Sequence, residues 1–466
     1  MIPMTLAEIA SVVGGTVDGD AATTVLEEAF VDSRDPVSGG LFVAVPGEHV
    51  DGHDYAEAAV DGGAAGVLGS RNTGVPTVVV DDPVAALGRL ARHVVDQTRP
   101  TVIALTGSQG KTGTKDYLAH VLDGFGQTVA TRGNLNNEIG VPLTALRSTA
   151  RTTYLVVEMG ARGVGHIRYL CEVTPPEVAA VINVGTAHIG EFGSREAIAE
   201  AKAEILELLP ETGIAVLNAD DDLTTAMAPR TRARTLTFGT TGDVAWRSVE
   251  LDDLSRPTFE LGYEGEWFPV RLTQTGAHQV ANAAAAAAMA VAAGLPAEVV
   301  AGRLGSAAPA SRWRMEVHER PDGLLVVNDA YNANPASMTA AVDALIAIGE
   351  RRGRRTVAVL GEMLELGAEA DQAHREVGRM VAQAGVALVV AVGEPARGIA
   401  EGAAATPGWS GTALRAAGRD DALTLVRENV AVADVVLIKA SRGAALEQIA
   451  DGLLDDRPPE RGDASC

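Results

Sequence analysis

Cysteine is nearly missing from this chain, which has only Cys171 and Cys466. That excludes a disulfide framework and any cysteine-built zinc cluster, and it fits a reducing compartment. Long apolar runs are missing too. The longest small-apolar stretch, Ala283 to Ala293, is mostly alanine and too short to cross a bilayer. Met1-Ile2-Pro3-Met4-Thr5 has no basic segment followed by an apolar one, which speaks against a secretory signal. Positive charge is scarce. The 38 Lys and Arg against 61 Asp and Glu leave a net charge of −23, which counts against nucleic acid and anionic membrane as partners. Residues 1–82 carry 14 acidic side chains and two basic ones, Arg34 and Arg71. An anion bound there has few side-chain cations to meet it. For most of those carboxylates, solubility is account enough. Short-period repeats and low-complexity tracts are absent. A cytoplasmic protein without membrane insertion is expected.

What is present is material for several domains: 466 residues, 47% of them hydrophobic. Residues 1–82 show short β-like runs, Leu41 to Val45 and Thr77 to Val80, between Gly and Asp turns. A helix-like stretch, Val84 to Gln97, leads into a second segment. There apolar runs (Val102 to Leu105, Tyr154 to Val157, Val178 to Ile182, Ile214 to Leu217) alternate with helical patterns. A third segment starts near Trp313, with runs at Leu324 to Val327, Thr356 to Leu360, Ala387 to Val392 and Val435 to Ile438. Strands alternating with helices predict parallel, doubly wound sheets. The expected domains are 1–82, 83–312 and 313–466, with a loose polar tail from about residue 455. In such sheets ligands bind beyond the carboxyl ends of the strands. Thr106 to Thr112, Glu158, His188, Asp329, Glu362 and Lys439 follow predicted strands and are expected to converge on one crevice.

The clearest motif is Ile103-Ala104-Leu105-Thr106-Gly107-Ser108-Gln109-Gly110-Lys111-Thr112. A strand enters a Gly-rich turn, and Lys-Thr opens a helix. Gly107 and Gly110 let the backbone curl so that N–H groups face phosphate oxygens, and the helix N-terminus adds positive potential. Lys111 suits the β- and γ-phosphates and the Thr112 hydroxyl suits Mg²⁺. The common eight-residue form has a glycine where this chain has Leu105. Glu158 ends an apolar run just before Met159-Gly160, a fitting place for a Mg²⁺ ligand. His188 by itself reads as structural, since a lone His is more often that than a ligand. Lys202 borders an apolar stripe of Ile198, Ala201, Ile205 and Leu209 on a helix predicted over 194–209. Its amine either snorkels to water or is held at the site, and the residues alone leave both readings open. Asn282 opens an alanine-rich helix whose small residues suit close packing, and its amide is also able to hydrogen-bond a nucleobase. Asn328-Asp329-Ala330-Tyr331-Asn332-Ala333-Asn334-Pro335 is more polar than turn chemistry alone requires.

Together these stretches resemble the Mur ligase family over nearly the whole chain. The Thr-Gly-x-x-Gly-Lys-Thr loop carries the resemblance. So do Gly133-Asn134-Leu135-Asn136-Asn137-Glu138-Ile139-Gly140-Val141-Pro142, Asn328 to Pro335, and Leu360-Gly361-Glu362-Met363-Leu364-Glu365-Leu366-Gly367. The resemblance implies three domains. These are a small α/β N-terminal domain for the uridine-diphosphate substrate, a central phosphate-loop ATPase domain with a parallel sheet, and a Rossmann-like C-terminal domain. It implies a monomeric ATP-driven ligase that makes an acyl phosphate and joins D-alanyl-D-alanine to a UDP-N-acetylmuramoyl-tripeptide in peptidoglycan precursor synthesis. On this reading Thr106, Gly107, Ser108, Gln109, Gly110, Lys111, Thr112, Asn282, Arg314, Asp329 and Tyr331 bind ATP, with Arg312 a rival to Arg314. Thr112, Glu158, His188 and a carbamylated Lys202 hold two Mg²⁺ ions. Ser33, Arg34, Phe42, Asp51, His53, Asn134, Asn136 and Asn137 bind the uridine-diphosphate substrate. Lys111, Glu158, His188 and Lys202 are the catalytic set. Another ligase of the same family, or a nucleotide-binding protein without catalysis, is the alternative.

Overall fold

Runs of β-branched residues collect into three main sheets in the computed structural model, which describes residues 1–47, 50–185 and 189–455. The first sheet has the order Thr16–Asp18, Thr77–Val79, Gly66–Gly69, Leu41–Val43, Ala29–Phe30. Only its first pair is antiparallel. The second has nine strands. Its parallel part runs Thr128–Ala130, Tyr154–Glu158, Thr101–Thr106, Val178–Val181, Ile214–Asn218, Arg234–Phe238. The third has the order Glu316–Glu319, Leu325–Asp329, Val435–Lys439, Thr356–Leu360, Leu388–Val392, Thr412–Ala416, antiparallel only at its first pair.

The helix Pro83–Thr98 ties the first sheet to the second. It starts where the Asp82 carboxylate accepts the N–H groups of Val84 and Ala85, with Pro83 at a position that needs no donor. Leu87, Leu90, Ala91 and Val94 are fully buried in an apolar core that includes Leu41 and Val43 of the first sheet and Val102 and Leu155 of the second. Each buried Leu or Val there contributes roughly 1.5–3 kcal/mol over exposure. The opposite face of the second sheet is covered by the helices Lys111–Asp123 and Gln279–Ala292. Ala283 to Ala288 are all fully buried, because methyl side chains let that helix press close to its neighbours. The third sheet has helices on both faces, Pro335–Arg352 and Ala370–Gln383 on one, Arg419–Asn429 and Glu447–Leu454 on the other.

The architecture is the expected α/β one. One element was not foreseen. Val244–Leu251, Pro257–Tyr263 and Glu266–Arg271 extend the second sheet as an antiparallel meander. These strands lie at the sheet edge with much of their surface solvated, so they lack the continuous apolar runs of doubly covered parallel strands. The expected loose tail falls on residues 456–466, outside the described part.

Pairing places the chemistry. Glu158 lies opposite Leu105 and Val181 opposite Thr106, so three strands release their chains at one level. In the third sheet, Asp329 and Leu360 both lie opposite Lys439. The strand ends of the second and third sheets border a cleft of about 980 Å³.

Candidate active site

The phosphate loop is braced before any ligand arrives. Asn183 accepts the N–H groups of Ser108 and Gln109 on its Oδ1 and donates from Nδ2 to the Gln109 carbonyl. Gly110 has φ +75°, and a Cβ there would sit 2.4 Å from Asn282 Oδ1. Only glycine meets both demands cheaply. Ser108 to Gly113 line the cleft, while Thr106 is fully buried beneath. The Lys111 ammonium donates to the Gly107 carbonyl at 2.8 Å. Desolvation lowers its pKa, partly offset by the Glu158 carboxylate.

The Thr112 hydroxyl donates to Glu158 Oε2 at 2.9 Å, and Asn136 Nδ2 donates to Oε1 at 2.8 Å. Glu158 is 1% exposed. The Thr131 hydroxyl accepts its backbone N–H, and the Thr131 carbonyl accepts from the buried Lys115 ammonium. Arg314 comes from the far wall. Its Nη2 donates to Thr112 Oγ1 at 2.9 Å, and its guanidinium lies 4.1 Å from the Tyr331 ring centroid. Arg312 is exposed and does not line the cleft, so the geometry distinguishes the two arginines.

Lys202 sits on the helix Arg195–Glu207, capped by Ser194. It is 6% exposed and lines the cleft. Burial, and then the Lys111 charge, push its amine well below the ordinary lysine value. Its surroundings are therefore those of a desolvated amine facing a cleft. On the opposite wall Lys439 donates to Asp329 Oδ2 at 2.5 Å and to the Asn332 carbonyl. Asp329 also accepts the Met315 N–H. Asn282 Nδ2 donates to Gln279 Oε1, so those two amides act as a pair beside the loop.

His188 lies outside the described residues, within which no group of three or more His, Cys, Asp or Glu side chains is placed to hold a metal ion. The oxygens present, the Thr112 hydroxyl and the Glu158 carboxylate, are hard donors. Mg²⁺ is commonly held by one or two carboxylates with phosphate and water completing the shell, so the set fits.

The residues expected at the uridine diphosphate divide. Asn134, Asn136 and Asn137 line the main cleft. Asn137 also accepts the Gly140 N–H that opens a helix. Ser33 and Arg34 are outside that cleft. Arg34 is exposed and donates twice to Asp32, whose carboxyl is held down at about 2. Phe42 is a correction. Its ring is 1% exposed and packs on Phe30 with centroids 5.5 Å apart, so it serves the core. His53 is another. Its ring is buried, with Nε2 accepting the Ser70 N–H and Nδ1 donating to Asp51. Asp51 accepts from Arg71 as well. That network folds the segment and leaves the imidazole no free nitrogen. Glu362, expected at the crevice, does not line it; Leu364 and Glu365 do. Asn183, Thr131 and Lys115 escaped the sequence reading, because each acts on a partner distant in the chain.

Fold and site together define a phosphate-loop nucleotide-binding protein in which the bend leading into the third sheet supplies an arginine to the loop. Residues 30–98 match the Mur ligase catalytic domain, 105–290 the Mur ligase middle domain and 313–442 the Mur ligase glutamate ligase domain. The chain is 45% identical to the UDP-N-acetylmuramoyl-tripeptide–D-alanyl-D-alanine ligase of Mycobacterium tuberculosis, over 98% of each chain. The crystal structure of MurF from Acinetobacter baumannii superposes with a TM-score of 0.86 at 33% identity, covering 97% of this chain and 99% of that one. MurF of Thermotoga maritima in complex with ADP gives 0.78 at 30% identity, over 92% and 97%. The chain belongs to the Mur ligase family and is an ATP-dependent amide-forming ligase. Among the described residues no helix is long and apolar enough to cross a membrane.

Proposed function

We propose that this chain adds D-alanyl-D-alanine to UDP-N-acetylmuramoyl-tripeptide, with ATP cleaved to ADP and phosphate, as a cytoplasmic step of peptidoglycan precursor synthesis. The carrying observation is the cleft itself. The phosphate loop, Lys111, Glu158 and Lys202 lie on one wall, and Arg314 crosses to them from the other.

The tripeptide carboxylate attacks the γ-phosphorus, and the bond to the ADP oxygen breaks. Negative charge gathers on the equatorial oxygens. Lys111, Arg314 and the loop N–H groups stabilise it without needing to reorganise. The dipeptide amine then attacks the acyl carbon and loses a proton. The tetrahedral intermediate collapses with phosphate as leaving group. Water would hydrolyse the acyl phosphate, so a closed cleft protects it. Mg²⁺, held by Thr112 and Glu158 with His188, would neutralise phosphate charge. Lys202, as a carbamate, would offer two more oxygens to a second ion, since only a neutral amine adds CO₂ and burial favours that form. Asn282, Asp329 and Tyr331 are proposed nucleotide contacts. Ser33 and Arg34 are proposed for the uridine diphosphate, with divisions near residues 82 and 312 separating three working domains and the chain acting as a monomer.

Labelling the tripeptide carboxylate with ¹⁸O tests the order of events. One label is expected in released phosphate. Unlabelled phosphate released along with amide product would overturn the acyl-phosphate route.

A further inference from the structure

The acceptor dipeptide ends in a free carboxylate, and nothing so far assigns it a partner. Among the described residues six Lys or Arg side chains line the cleft: Lys111, Arg162, Lys202, Arg314, Lys439 and Arg442. Four are committed. Lys111 and Arg314 bond within the phosphate loop, Lys202 is buried, and Lys439 is 2% exposed and paired with Asp329. Arg162 and Arg442 remain exposed. Arg162 stands just beyond Gly160, whose N–H bonds the Asn136 carbonyl. It follows the strand Tyr154–Glu158, on the wall that carries the phosphate loop. Arg442 follows the strand Val435–Lys439, on the wall formed by the third sheet.

We infer that Arg442 binds the free carboxylate of the acceptor dipeptide. This rests on the function proposed above and deepens it. The guanidinium is held in advance. Nη1 donates to Glu447 at 2.7 Å, and the plane lies 4.1 Å from the Trp313 ring centroid. Its side chain is nevertheless 50% exposed while Glu447 is buried, and Arg442 lines the cleft. A planar fork fixed at one end suits a carboxylate, and its ordering is settled before binding. The neighbourhood suits alanyl methyls. Ser441 Oγ accepts the Leu364 N–H, and Leu364, 45% exposed, lines the cleft with Ala340 and Ala341. Trp313, against which Arg442 lies, is the chain neighbour of Arg314, which donates to Thr112 of the phosphate loop.

The test compares D-alanyl-D-alanine with D-alanyl-D-alaninamide as acceptors, at saturating ATP and UDP-tripeptide. The parent enzyme is expected to favour the acid in kcat/KM by roughly 10- to 100-fold, the worth of a hydrogen bond to a charged group. Arg442→Ala should bring the ratio near one and leave the KM for ATP unchanged. Arg442→Lys, which keeps charge but not the fork, should fall between, and it carries the test if the alanine variant does not fold. Glu447→Gln should keep the preference for the acid. A parental ratio in Arg442→Ala or Arg442→Lys, or no preference in the parent, overturns the inference. A parent that uses neither acceptor strikes the proposed function instead.

Discussion

Arg314 donates to the Thr112 hydroxyl across 2.9 Å, joining positions 202 residues apart in the chain. Thr112 in turn donates to Glu158, so one hydroxyl connects the far wall of the cleft to the buried carboxylate. Trp313 and Met315 on either side of Arg314 have φ of +59° and +50°, a conformation that non-glycine residues adopt at some cost. Two left-handed residues flank the arginine in the bend just before the strand Glu316–Glu319.

Arg314→Ala is therefore expected to lower kcat about 100-fold, the scale of one lost donor to transition-state charge. Arg312→Ala should stay near parental activity. The Arg314 Nε is buried with no partner among the described residues, as for a donor awaiting a ligand oxygen. Steady-state phosphate release on both variants checks this. Equal losses would remove the distinction between the two arginines.

Glu158→Gln keeps the shape and removes the charge. The Mg²⁺ concentration for half-maximal activity should rise by about 10-fold or more, at least what losing a partner around a metal costs. Thermal stability should change little, because the amide keeps the size of the carboxylate and can still bond Asn136 and Thr112. A magnesium titration with a parallel melt reads both. An unchanged magnesium requirement would take Glu158 out of the metal site.

Lys202 makes stability depend on pH. Its folded-state pKa is lowered by burial and by Lys111 from the ordinary 10.5. Between the depressed value and 10.5 the unfolded chain binds more protons than the folded one. Stability therefore rises with pH through that window and levels above it. Lys202→Met removes this slope. In CO₂-free buffer, denaturant unfolding should show the parent gaining on the variant as pH climbs. A constant difference would mean an amine in contact with water. Activity gives a second reading. Lys202→Arg should stay inactive, since guanidinium remains positive and forms no carbamate.

The phosphate loop was legible because its physics is local. Strand, glycine turn, lysine and helix start are consecutive, and the structure keeps them in that order from Thr101 to Asp123. Glu158 was legible for the same reason, as a carboxylate ending an apolar strand. The meander at 244–271 was not, since edge strands with a wet face carry no continuous apolar run. Phe42 and His53 misled the reading. Both belong to a stretch whose resemblance pointed to substrate, but the Phe42 ring turns inward and the His53 nitrogens are spent on Asp51 and Ser70.

Consecutive residues by themselves determined the alternation of strands and helices, the phosphate loop, the acidic charge and the lack of a disulfide framework. Each of these follows from backbone preference, side-chain charge or counting. Tertiary structure alone brought Arg314 rather than Arg312 to the phosphate loop, turned Lys202 into a buried amine facing the cleft, set Asn183 against the loop and brought Asn136 to Glu158. It also left Arg442 as the exposed cation on the far wall. Those outcomes depend on which strand ends stop at the same level and on how two sheets face each other across a cleft. No short window of sequence holds that, because the groups that meet are joined only by the packing of everything between them.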